Sequence, residues 1–200
     1  MSRPKREWYP GAVYHVMARG VRRTNIYNND FDYQTFVEML KQGLQKFDCE
    51  LYSYCLMSNH FHFLIKTKSE PLWKLMKWLS HSYAVYYNSV NSYTGHLFEG
   101  RYKVCLVKDD GYFLQTSRYI HLNPVKARIV SEPEEYRWSS YGAYMGTGNT
   151  GLVKKDDVLN YFKDDKVLRY REFVESEGRY EEEENLVRTD IGETELWLPW

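Results

Sequence analysis

Residues 50–66 read ELYSYCLMSNHFHFLIK, two apolar and aromatic-rich runs of strand length with only Ser58 and Asn59 between them. A two-residue connection admits little except an antiparallel hairpin, so any fold for this chain has to be built around that pair. Side chains two apart on a strand share a face and stand about 6.6 Å apart. Phe61, Phe63 and Ile65 therefore share one face, and His60 and His62 share the other. The apolar face requires helices over it, and the histidine face is expected to stay open.

The flanking segments supply those helices. AVYHVMA (12–18) is a further strand candidate, and Phe36, Met39, Leu40, Leu44 and Phe47 recur at helical spacing behind Asp30 or Asp32 as caps. After the hairpin, Ser69 can cap a second helix with Pro71 in its first turn. Its stripe is Leu72, Leu75, Met76, Leu79, Tyr83, Tyr86 and Val90, and Gly95 ends the segment. RYKVCLV (101–107) is the fourth strand. Strand, helix, strand, strand, helix, strand is the order of a ferredoxin-like split βαβ domain, an α+β fold with an antiparallel sheet.

A third helix is expected from Asp109 or Asp110 through GYFLQTSRYIHL, broken at Pro124, with Asn123 capping a second short helix, NPVKARI. Residues 131–151 are turn-rich with a Gly-rich end, and two short amphipathic helices follow near 156–163 and 166–177. The reading is a domain over 1–144, a linker over 145–155 and an acidic helical appendage over 156–200. A chain ending near Gly151 should then fold by itself.

Charge divides the chain the same way. Residues 1–130 hold 18 Lys and Arg against 10 Asp and Glu, a net of +8, whereas 131–200 hold 9 against 17, a net of −8. A basic body favours a polyanionic partner, and the EEEE run at 181–184 could compete for it. Three cysteines without CxxC spacing point to neither a disulfide framework nor a zinc knuckle. MSRPKREWYPG lacks the apolar core of a signal peptide, and no apolar run approaches a membrane span, so a cytoplasmic location is expected.

His60 and His62 can converge on one divalent cation, although two imidazoles do not close a site and HxH alone is a weak signal. Such ligands must be neutral, which for ordinary histidines means loss of binding below roughly pH 6. On the third helix Tyr119 lies with Tyr112 and Gln115, opposite Phe113 and Ile120, so its hydroxyl should meet a polar surface. Arg19, Arg22, Arg23, Arg101, Lys103, Arg118 and Lys126 are the cations placed to contact phosphates.

Five motifs in order, MSRPKR…YPGAVYHVMARG, YCLMSNHFHFLI, GHLFEGRYK, SRYIHLNPVKARIV and EEYRWSSYGAY, resemble the REP-associated tyrosine transposases, relatives of the single-tyrosine HUH (IS200-like) transposases. The resemblance runs from Met1 to about Tyr144. It implies a divalent metal, Mg²⁺ or Mn²⁺, on His60 and His62, and Tyr119 as nucleophile. The substrate it implies is single-stranded or hairpin DNA, held through a 5′-phosphotyrosine link and acted on by a monomer or homodimer. Relatives often carry a third ligand four residues after the tyrosine; Asn123 stands there, either as that ligand or as a helix cap. Ser58 departs from the proline common in relatives, at a turn position that tolerates it.

Two other classes fit parts of the sequence. A non-catalytic nucleic-acid-binding module on a ferredoxin-like fold would need base-stacking aromatics, and HFHFLIK lacks the pattern of an RNP1 strand. A water-using phosphodiesterase would need more carboxylate ligands than the histidine face offers.

Overall fold

The hairpin forms as its two-residue gap requires. In the computed structural model, which describes residues 8–148 and 151–176, β2 (Cys49–Met57) pairs antiparallel with β3 (His60–Thr67), with an irregularity between Leu51 and Ser53. β1 (Val13–Arg19) pairs antiparallel with the other edge of β3, and β4 (Lys103–Val107) with β1, in the order β2-β3-β1-β4. With α1 (Asp30–Lys46) between β1 and β2 and α2 (Leu72–Val90) between β3 and β4, this is the expected split βαβ arrangement.

Phe61 and Phe63 stack with ring centroids 4.4 Å apart and meet Phe36 of α1, which in turn lies 4.8 Å edge-on from Tyr83 of α2. The two helices approach closely at Gly43, where a Cβ would come within 2.7 Å of Leu75 Cδ1. Their caps differ from expectation. Asn29 caps α1 by accepting from the Asp32 N–H at 3.1 Å, while the buried Asp32 carboxylate accepts from Asn28 N–H and the Tyr86 hydroxyl. Pro71 occupies the N-cap of α2, and the Ser69 hydroxyl donates instead to Asp48 at 2.9 Å.

The histidine face is not open. Buried Met17, Cys55, Leu64 and Cys105 alternate with the histidines there, and that apolar surface requires cover. α3 (Asp110–Lys126) provides it, starting at Asp109, whose carboxylate accepts from Tyr112 N–H at 2.8 Å. Pro124 does not break this helix. It lies in the last turn, so one backbone donor is lost near an end where carbonyls are already short of partners. Asn123 is accordingly inside the helix and caps nothing; its Nδ2 donates to the Tyr119 carbonyl at 2.8 Å.

The C-terminal helices belong to the same core. α4 (Tyr141–Met145), α5 (Lys155–Leu159) and α6 (Lys166–Glu175) close over the outer side of α3, and Tyr141, Tyr144, Tyr170 and Val174 have no exposed surface. A buried chain of hydrogen bonds runs through them: Ser140 to His121 Nε2 (2.7 Å), His121 Nδ1 to Tyr170 (2.8 Å), Tyr170 to Ser117 (2.7 Å) and Ser117 to Ser53 (2.7 Å). The expected boundary after residue 144 is therefore absent from the packing. The reason is chemical: α3 turns Ser117 and His121 toward the β2 edge of the sheet, where Ser53 and Ser140 meet them, and α6 supplies the tyrosine that bonds to both. The EEEE run lies outside the described residues.

This burial gives stability a pH dependence. Removal from water pushes His121 down to about 3 and His15 to about 4. In the unfolded chain both titrate near 6.5, so between those values the unfolded state binds more protons. Stability present above pH 6.5 should fall with acid, by up to about 1.4 kcal/mol per pH unit for each histidine. Urea unfolding should show a clearly lower midpoint at pH 5 than at pH 7; equal midpoints would contradict the burial of both rings.

Candidate active site

β3 carries His60 and His62 toward α3, and the β1–β3 register sets Arg19 opposite His60 and Met17 opposite His62. His15, two residues before Met17, is thus the diagonal neighbour of His62, and its Nε2 lies 3.0 Å from His62 Nδ1. Sequence reasoning missed His15. Its signal was a polar residue at an alternating position of an otherwise apolar strand, on the parity of the face that the hairpin assigns to the histidines. α3 buries Phe113 and Ile120 and leaves Tyr119 half-buried above the cluster. The tyrosine ring stands edge-on to both imidazoles, 5.8 Å from His15 and 5.6 Å from His62, and the His60 and His62 rings are 5.1 Å apart.

Three histidines at close quarters stay neutral. Burial pushes His60 to about 3, helped by the Arg19 guanidinium opposite. His62, only 2% exposed, is held well below the usual histidine range by burial and then by its charged-form neighbours His60, His15 and Arg19. The expected loss of ligand character near pH 6 therefore moves to lower pH.

These groups fit a divalent cation. His60 Nδ1 is bonded to Asn59 Oδ1 at 2.6 Å and His62 Nδ1 to His15 Nε2, which leaves each Nε2 as the ligating nitrogen. A carbonyl-type partner behind a ligand imidazole is the usual means of fixing its tautomer. His62 offers Nε2 to a cation in the tautomer where its Nδ1–H donates to His15; the buried His15 Nδ1 has no hydrogen-bond partner among the described residues. Among those residues no three His, Cys, Asp or Glu side chains converge as a cation site, so oxygen ligands from Asn123, water or substrate would have to complete the shell. The bond from Asn123 Nδ2 to the Tyr119 carbonyl leaves Oδ1 as the amide atom for that purpose.

Cations border the cluster. Arg19, half-buried, is pressed to about 10 by burial and by Arg23, while Glu99 and Tyr119 act in the opposite sense. Lys126 Nζ lies 5.2 Å from the centre of the Tyr119 ring. Lys103, half-buried on β4, is lowered chiefly by burial, with Glu99 opposing and Arg19 adding to the shift. Arg22 and Arg23 are exposed in the loop after β1, and Arg101 is exposed just before β4. Arg118 is the exception and leaves the set of phosphate contacts. It is 4% exposed on the far side of α3, where its guanidinium donates to the carbonyls of Val174 (3.3 Å) and Ser176 (2.7 Å) and sits over the Phe173 ring. Adjacent helix positions point about 100° apart, so a residue next to Tyr119 cannot share its surface.

Comparison with known proteins bears on the family and the fold. A family model described as "Transposase IS200 like" matches residues 9–123. A solved structure of a REP-associated tyrosine transposase bound to a REP hairpin is similar in fold, with a TM-score of 0.62 and 16% identity, over 78% of this chain and 90% of that one. A crystal structure of a putative transposase from Deinococcus radiodurans aligns over 60% of this chain and 95% of that one, at 18% identity and a TM-score of 0.43. No curated protein sequence matches the chain. No helix among the described residues is long and apolar enough to cross a membrane. The matched segment spans more than half of the chain, from the residue after Trp8 to Asn123 of the tyrosine helix, and it contains every member of the histidine and tyrosine cluster: the chain belongs to the IS200-like transposase family.

Proposed function

We propose that this transposase cuts and rejoins one strand of hairpin-forming DNA through Tyr119. The observation that carries the reading is the edge-on placement of Tyr119 over His15 and His62, on a half-buried face bordered by Arg19, Lys103 and Lys126. A phenol oxygen in that position attacks a phosphodiester phosphorus, forms a 5′-phosphotyrosine bond and releases a 3′-hydroxyl, and the same bond energy serves rejoining. Arg19 and Lys126 supply positive charge beside the ring where negative charge gathers during transfer. His60 and His62, with Asn123 as the oxygen donor, would hold a divalent cation, Mg²⁺ or Mn²⁺, which would supply polarisation of the phosphate. Exposed Arg22, Arg23 and Arg101 grip the strand through its phosphates. Hairpin DNA is favoured as the substrate because the structural relative holds a REP hairpin.

The test is a covalent adduct. Hairpin oligonucleotides with single-stranded extensions, incubated with the protein and Mn²⁺, should yield a species that migrates as protein plus DNA in SDS. EDTA, or the double substitution His60→Ala with His62→Ala, should abolish it. A binding module gives a native mobility shift and no adduct, and a water-using nuclease gives cleavage and no adduct; either result overturns the proposal.

A further inference from the structure

We infer that Asn59 is a positioning residue that ties the arginine loop after β1 to the imidazole of His60, so that the strand grip and the cation site are set by one amide. The inference rests on the cation and DNA roles given above.

The loop is built under strain. Arg22 and Arg23 occupy consecutive left-handed conformations, with φ of 50° and 61°. Non-glycine residues pay for that region, and two in succession persist only where the surroundings enforce them. Gly20 begins the turn, and a Cβ there would collide with the Thr24 carbonyl oxygen and come within 2.9 Å of Ile26 Cγ2. The enforcing contacts come from the hairpin turn. The Ser58 carbonyl accepts from Ile26 N–H at 2.8 Å and Tyr27 N–H at 3.3 Å, and the Asn59 carbonyl accepts from Gly20 N–H at 2.8 Å. Two side chains add to this backbone frame: the Thr24 hydroxyl donates to the Val21 carbonyl at 2.8 Å, and from the hairpin turn Asn59 Nδ2 donates to the Arg23 carbonyl at 3.2 Å.

That bond decides the rest. A carbonyl only accepts, so the amide atom facing Arg23 is the nitrogen, and the ambiguity usual for an asparagine side chain disappears. Oδ1 must then face His60, 2.6 Å from Nδ1. An amide oxygen only accepts, so His60 Nδ1 carries the proton and Nε2 keeps the lone pair that a cation needs. Asn59 thus holds the left-handed backbone of Arg23 with one end of its amide and selects the ligating tautomer of His60 with the other.

Asn59 is half-buried in a turn and its backbone bonds survive truncation, so Asn59→Ala should fold. Three readouts test the coupling in the full chain. Mn²⁺ affinity by electron paramagnetic resonance should weaken about tenfold or more in Asn59→Ala. Hairpin affinity measured in EDTA should weaken about fivefold, since one hydrogen bond of roughly 1 kcal/mol that shapes the loop is gone. ¹⁵N spectra of the histidines should show His60 leaving the Nδ1–H tautomer. Asn59→Asp keeps the acceptor for His60 and loses the donor to Arg23; it should restore Mn²⁺ affinity to within about threefold of wild type while hairpin binding stays weak. Unchanged hairpin affinity in Asn59→Ala overturns the proposal, as does unchanged Mn²⁺ affinity, or a failure of Asn59→Asp to restore the latter. Wild-type protein that binds no Mn²⁺ or no hairpin instead overturns the functional reading beneath it.

Discussion

Tyr119→Phe protein should fold, bind hairpin DNA as the wild type does, and form no covalent adduct. The substitution removes one oxygen and keeps the ring, which still stands edge-on to His15 and His62 and beneath Lys126. Tyr119 is half-buried, so the change in stability should stay below about 1 kcal/mol. Activity should drop by about 10⁴-fold or more, because a group that acts as the nucleophile is not partly replaceable by its neighbours. The chain has 19 tyrosines, so the attachment site has to be read directly. Mass spectrometry of digested wild-type adduct should place the nucleotide on the peptide containing Tyr119. An adduct that survives Tyr119→Phe would move the nucleophile elsewhere and leave the histidine cluster without its partner.

A chain cut after Gly151 should not fold, contrary to what its charge division and Gly-rich connection imply. The cut removes Tyr170 and Val174, both fully buried, and losses of that kind cost about 3–5 kcal/mol for the aromatic and about 2 for the aliphatic side chain. It also strands His121 Nδ1 and the Arg118 guanidinium, which lose Tyr170 and the α6 carbonyls, at about 1–3 kcal/mol for each unsatisfied buried group. Together these approach the whole stability of an ordinary domain. The truncated chain should lack a cooperative thermal transition by circular dichroism, whereas a chain ending at Ser176 keeps every one of these contacts and should melt cooperatively. A folded protein ending at Gly151 would show that α6 is dispensable and that the core is complete without it.

Position by position, local pattern was enough for much of the fold. The Ser58–Asn59 gap, the alternation that sets Phe61 and Phe63 against His60 and His62, the stripes of α1 and α2 apart from the exposed Val90, and the start of α3 at Asp109 or Asp110 were legible, because each depends on residues within a turn or two of one another. The shared face of the histidine pair was legible for the same reason, whereas Tyr119 stood out through the resemblance of its motif and not through spacing. The rest depended on partners far along the chain. His15 joins His62 across 47 positions, Asn59 reaches Arg23 across 36, and Arg118 finds Ser176 across 58. No periodicity encodes such pairings; they follow from strand register and from which face of α3 is left to be covered. Arg118 shows the consequence most plainly. As a basic residue beside the nucleophile it reads as a DNA contact, yet the 100° step of a helix turns it off the face of Tyr119, where only the docking of α6 decides that its charge holds the fold together and does not touch a phosphate.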